Sequence, residues 1–193
     1  DGGRDPLQAY APHGYDLVTD TADVASASGA RVELIFARHG ETQKRLKMPM
    51  LVGEWGGYYG GGEKMLPAAH FVCRQFEKLL CGDTYWALEK DMGKRPVLRA
   101  LSRPYPMCVA GTILSYGADP ETRKFSCTWK EDPGVAGDSV FFVPETYEAT
   151  KERVKLTPEG KVFKMEPVAD GGKSVRVIVG SAGGDVDRRI TIE

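Results

Sequence analysis

Three short stretches hold side chains whose types and spacing suit chemistry. The run Pro49-Met50-Leu51-Val52-Gly53-Glu54-Trp55-Gly56 carries a single acid just after an apolar segment bounded by Pro49 and Gly53. A carboxylate at the end of a buried strand is costly unless its charge is used or paired. Glycines on both sides let another molecule approach the backbone closely. Such a carboxylate can attack the anomeric carbon of a sugar, provided that a second one, roughly 5–5.5 Å away, acts as acid and then as base. The plain alternative is an acid that satisfies neighbouring amides. In Pro12-His13-Gly14-Tyr15-Asp16, His13 and Tyr15 are two residues apart, so on an extended chain both face one way. An imidazole and a phenol on one face can bind hydroxyls and orient a carboxylate, although a surface His-Tyr pair has the same spacing. Trp86 closes Gly82-Asp83-Thr84-Tyr85-Trp86 and offers an indole face either to a sugar ring or to a core.

Other patterns are weaker. Gly56-Gly57-Tyr58-Tyr59-Gly60-Gly61-Gly62-Glu63-Lys64 is glycine-rich, but Met65 follows Lys64, which breaks the phosphate-loop spacing. It reads as a mobile loop beside the site. The four cysteines, Cys73, Cys81, Cys108 and Cys127, form no CxxC pair and suggest neither zinc nor redox chemistry; free thiols are the simpler expectation. A net charge of -1 with no basic stripe argues against nucleic acid as a partner. No apolar run reaches the ~18 residues of a membrane-crossing helix, and the polar start Asp1-Gly2-Gly3-Arg4-Asp5 has no leader pattern.

The elements that must position these residues change character near residue 100. Gln8 to His13 reads as a short strand. Arg31 to Leu46 has a helical period through Val32, Ile35, Phe36, His39, Gln43 and Leu46. Met50-Leu51-Val52 reads as a buried parallel strand. Lys64 to Leu80 is a second helix with Pro67 in its first turn and Gly82 as its stop, and Thr84 to Leu88 is a third strand. This βα rhythm, with too few strands to close, predicts the end of a larger α/β domain. Beyond Arg95-Pro96, seven short β segments (112–116, 124–129, 139–143, 153–156, 161–165, 174–179 and 188–192) are separated by turn residues, and predict a β-sandwich. The four-residue turn 157–160 suggests a hairpin joining two of them.

Two family resemblances attach to these patterns. Leu34-Ile35-Phe36-Ala37-Arg38-His39-Gly40-Glu41-Thr42 resembles the histidine phosphatase signature, in which the equivalent of His39 is phosphorylated. Against it, Lys44 and Arg45 stand where that family has an asparagine, the one later histidine is His70 within an apolar helix, and the segment has helical spacing. The second resemblance runs along nearly the whole chain. The order PHGYD, MPMLVGEWGG, GDTYW, then RPYPMCVAGTILSYGADPETRKF resembles the C-terminal part of endoglycoceramidases and related glycosylceramidases of glycoside hydrolase family five.

That resemblance implies strands six to eight of a (β/α)8 TIM barrel over residues 1–103 and a β-sandwich domain over 104–193. It implies retaining hydrolysis of a β-glycosidic bond in a glycolipid or oligosaccharide, with Glu54 as nucleophile, His13 and Tyr15 positioning sugar and nucleophile, and Trp86 stacking on the sugar. It implies no cofactor and no metal. A secreted or membrane-surface location and peripheral membrane contact go with it. The family's acid/base glutamate follows an asparagine, and this sequence has no asparagine. The first half of the barrel must therefore come from the same gene product or from another chain, and the segment alone is expected to be inactive. A non-catalytic carbohydrate-binding role for residues 104–193 is the remaining alternative.

Overall fold

The structure is a computed structural model that describes all residues except 1–4, 6, 20, 59–61 and 159–162, and of Ala25 the backbone only. The chain divides into two compact units, Asp1–Leu101 and Ser102–Glu193.

In the first unit, α1 (Gly29–Leu46), β1 (Leu51–Gly56), α2 (Leu66–Leu79), β2 (Gly82–Trp86) and a single turn, α3 (Leu98–Leu101), follow in order. β1 pairs in parallel with β2. On its other side, Tyr10 and His13 bridge in parallel to Met50 and Glu54, with Tyr10 N donating to Pro49 O, Leu51 N to Tyr10 O and Gly53 N to Pro12 O at 2.8–3.0 Å. Three extended segments thus run side by side, with β1 in the middle. The helices cover one face of them. Val52 and Trp55 of β1 are buried with Val32, Phe36, Val72 and Phe76, and the rings of Phe36, Phe76, Trp55 and Tyr85 meet edge to face. Gly40 allows this packing, since a Cβ there would lie 3.1 Å from Leu79 Cδ2.

Local expectations needed three corrections here. β1 continues to Gly56 instead of ending at Gly53. α2 begins at Leu66, after a 3-10 turn over Gly62–Met65. It is stopped by Leu80 in the left-handed conformation (φ 51°), whose N–H turns back to Glu77 and Phe76 carbonyls; Gly82 instead opens β2. Of the glycine-rich loop, residues 59–61 lie outside the described residues.

Among the described residues the second unit contains eight strands: β3 (Tyr105–Cys108), β4 (Gly111–Asp119), β5 (Lys124–Glu131), β6 (Ser139–Val143), β7 (Val154–Thr157), β8 (Phe163–Pro167), β9 (Val175–Val179) and β10 (Asp187–Ile192). They form two antiparallel sheets of four, ordered β4-β5-β10-β7 and β3-β6-β9-β8. Strict alternation explains the core: Phe125, Cys127 and Trp129 of one sheet and Phe141, Val143, Val177 and Val179 of the other are all buried. Two expectations fail here. β3 was unforeseen because Pro106 cannot donate to a ladder; it is tolerated at the sheet's edge, beside an irregularity in the β3–β6 register. Among the described residues the hairpin does not form: β7 pairs with β10 and β8 with β9, in separate sheets on either side of the connecting segment. Residues 159–162 of that segment lie outside the described residues.

Candidate active site

The backbone of β1 decides where Glu54 points. With strict two-residue alternation, Val52 and Glu54 would share a face, and the carboxylate would enter the aromatic core. The β1–β2 register instead advances three residues on β1, Val52 to Trp55, for two on β2, Asp83 to Tyr85. This extra residue puts Val52 and Trp55 on the helix side and releases Glu54 from it, the re-aiming that bulges provide. The irregularity is braced from β2: the Thr84 hydroxyl lies against the carbonyl oxygens of Val52, at 3.2 Å, and Gly53. Trp55, on the core side, is fixed by its indole N–H to Asp83 Oδ2 at 2.9 Å.

Three of the residues singled out from sequence meet at this point. Tyr15 donates its hydroxyl to Glu54 Oε2 at 3.0 Å, and His13 Nδ1 stands 3.3 Å from the same oxygen. The His13 and Tyr15 rings are 6.1 Å apart and nearly perpendicular, and Gly14 N donates to the Glu54 carbonyl at 2.8 Å. The Glu54 side chain is one-third exposed and that of His13 is 56% exposed, so the carboxylate is open to solvent yet held. Both side-chain contacts fall on Oε2; among the described residues, none is recorded for Oε1. Trp86 ends β2 paired with Gly56, with a non-proline cis peptide after it, and is 48% exposed. No described bond or ring contact joins it to the trio.

The segment after His13 is anchored by a buried acid that sequence reasoning passed over. Asp16 accepts the Val18 and Ser28 amides and the Arg31 Nε–H at 3.0–3.2 Å. Burial pushes its carboxyl up, but those amides and Arg31 outweigh it and hold it below the usual 3.8. The Asp16–Arg31 spacing of fifteen residues across a loop has no sequence signature.

Arg38-His39-Gly40-Glu41 lies within α1 and not at a strand end. Arg38 pairs with Glu41 on the surface, and both His39 ring nitrogens are engaged: Nδ1 with the Tyr10 hydroxyl and Nε2 with the His13 carbonyl, each at 3.0 Å. A phosphorylated nucleophile needs a free nitrogen facing an anion site, so this geometry opposes the phosphatase reading. Among the described residues, no group of three or more His, Cys, Asp or Glu side chains could hold a metal ion, and no helix is long and apolar enough to cross a membrane.

Residues 103–192 match the family described as the glycoside hydrolase family 5 C-terminal domain. The chain also resembles, over its full length, endo-glycoceramidase II from Rhodococcus sp. In the ganglioside GM3 complex of that enzyme the TM-score is 0.70 at 19% identity, covering 44% of the enzyme chain. In its lactosyl-enzyme intermediate the TM-score is 0.66 at 19% identity, covering 43%. Sterylglucosidase 1 from Cryptococcus neoformans matches 95% of this chain and 38% of its own, with TM-score 0.65 and 13% identity. At such identities the likeness is one of fold. The chain spans less than half the length of these solved structures. No curated protein sequence matches it.

Proposed function

We propose that this chain is part of a retaining β-glycoside hydrolase acting on glycolipids, in which residues 1–103 are strands six to eight of a TIM barrel and 104–193 its β-sandwich. One observation carries the reading: a carboxylate, a phenol and an imidazole converge toward the C-terminal end of β1 and of the extended segment parallel to it, the side on which barrel enzymes place their chemistry. Glu54 is the nucleophile. Tyr15 and His13 hold Oε2, leaving Oε1 to attack the anomeric carbon. Trp86, half exposed on the neighbouring strand, offers a face to a sugar. The glutamate that protonates the leaving oxygen and then activates water belongs to the barrel half outside this chain. A glycosylated lipid as substrate is supported by the two fold neighbours, a glycoceramidase and a sterylglucosidase.

The test is hydrolysis of an aryl β-glycoside and a fluorescent glycosylceramide by the whole enzyme. Turnover with retained anomeric configuration, lost in Glu54→Gln, is expected. These 193 residues alone are expected to turn over neither substrate. Robust turnover by the chain alone, abolished by Glu54→Gln, would contradict the assignment of the second carboxylate to another segment. Saturable glycan binding that depends only on residues 104–193 would favour a binding module instead.

A further inference from the structure

The histidine of the Arg-His-Gly-Glu run plays no part in the chemistry above, yet it touches the site. His39 stands on α1, 26 residues along the chain from His13, and its Nε2 lies 3.0 Å from the His13 carbonyl oxygen. A carbonyl can only accept, so Nε2 carries a proton and donates it. In the neutral ring Nδ1 is then an acceptor, and the Tyr10 hydroxyl at 3.0 Å is its donor. The half-buried imidazole is flanked by the Phe36 and Tyr10 rings, each 6.0 Å away at steep angles.

The consequence falls on the backbone that carries His13 and Tyr15. Its N-terminal side is tied to α1 through His39, which reaches both Tyr10 and the His13 carbonyl. Its C-terminal side is tied to α1 through Asp16, which Arg31 grips. Between these anchors Gly14 lies against the helix so closely that a Cβ there would stand 2.6 Å from Phe36 Cζ. His39 and Arg31 are eight residues apart, about 12 Å along a helix, which matches the roughly 10 Å that the three steps from His13 to Asp16 can reach when extended. The two side chains that contact Glu54 Oε2 both project from this clamped segment.

We infer that His39 is a positioning residue: by donating to the His13 carbonyl it fixes the backbone that aims His13 and Tyr15 at Glu54. This rests on the glycosidase reading for its kinetic consequence, but not for its structural one. Small displacements of positioning groups cost rate far out of proportion to stability.

The test uses His39→Leu, which keeps the bulk and removes both nitrogens, and His39→Gln, whose amide N–H can still reach the carbonyl. In the whole enzyme, His39→Leu should lower kcat about ten- to a hundredfold with KM changed less than about threefold. His39→Gln should recover most of that loss. His13→Ala combined with His39→Leu should lose less than the sum of the two single losses, because His39 acts partly through His13 and partly through Tyr15. In the 193-residue chain, which has only three histidines, the His13 ring signals in NMR should move in His39→Leu and return in His39→Gln. A lowered melting temperature with kcat unchanged, additive losses in the double variant, or unmoved His13 signals would each overturn the inference. If the whole enzyme hydrolyses no β-glycoside, the proposed function fails, while the NMR comparison still decides whether His39 positions His13.

Discussion

Glu54 and Glu131 are both glutamates on middle strands of a sheet, one in each unit, and they have opposite fates. Glu131 is 1% exposed, and both its oxygens are occupied: Oε1 by the Ser181 hydroxyl and the Ala182 amide, and Oε2 by Arg188 Nη1 at 2.5 Å. Arg188 is equally buried and lies 5.4 Å over the Trp129 ring. Glu54 is one-third exposed and, among the described residues, has its two side-chain contacts, Tyr15 and His13, on one oxygen. The second unit closes its two sheets on each other and uses its acid to pin a loop. In the first unit Leu51, Trp86 and Leu88 are exposed, and the acid is turned out of the core. A saturated carboxylate stabilises a fold, whereas one with a free oxygen can react.

Exchanging each acid for its amide should separate these roles. Glu54→Gln is expected to lower turnover of the whole enzyme by about 10⁴-fold or more, the scale of losing a nucleophile, while its unfolding free energy in urea stays within about 0.5 kcal/mol of the parent's. Glu131→Gln is expected to do the reverse. Removing one partner of a buried pair leaves Arg188 uncompensated, at a cost of about 3–5 kcal/mol. Urea titration followed by NMR signals of Val177 and Ile190 measures it for the second unit. A Glu131→Gln chain as stable as the parent, or a Glu54→Gln enzyme that keeps its turnover, would break the contrast.

Asp16 is the intermediate case, a fully buried carboxylate that serves the site by holding its loop. Asp16→Asn should cost about 1–2 kcal/mol, through the weakened bonds to Arg31 and two amides. The pH dependence has a definite sign. Its folded carboxyl is held below the usual 3.8, so its contribution is complete above that value and is lost as pH falls through the lower, folded one. Glu131 is displaced in the same direction: burial pushes its carboxyl up, but Ser181, Ala182 and Arg188 outweigh that. Acid titration of the parent and Asp16→Asn, followed by circular dichroism, should differ above about pH 5 and converge only as pH falls through the lowered, folded value. A constant difference across that range would show that Asp16 acts without its charge.

The sequence pattern reveals the chemistry more readily than its support. His13, Tyr15 and Glu54 stand out because their types and their positions at the ends of apolar runs are local features, and helical period alone marks α1. The turning of Glu54 away from the core depends on an irregular register between β1 and β2, which no count of alternating residues contains. His39 reads as one helix position among others until the chain folds back 26 residues to meet it. Pro106 conceals β3 because edge position, which makes the proline acceptable, is a tertiary property. Val154-Lys155-Leu156 and Phe163 suggest a hairpin by proximity, but β10 claims β7 and β9 claims β8. Arg188 and Glu131, 57 residues apart, have no local signature.

The smallest effect concerns the thiols. Cys73, Cys81 and Cys127 are buried and Cys108 is exposed, and none of the four forms a disulfide. Reaction with a disulfide reagent needs a thiolate, and burial pushes the Cys127 thiol up to about 12. In the native chain Cys108 should therefore label quickly at pH 8, with the other three silent until their unit opens. Cys108→Ser should change stability by no more than about 0.5 kcal/mol, because the side chain is exposed and its Sγ contact with the Asp138 carbonyl, at 3.7 Å, is a weak one. In that background Cys127 becomes a clean reporter of the second unit. Glu131→Gln, by its cost to the fold, should raise the Cys127 labelling rate about a hundredfold or more, and Glu54→Gln should leave it alone. Equal rates in the two variants would mean that Glu131 does not hold its unit closed, and the distinction between the two glutamates would reduce to exposure alone.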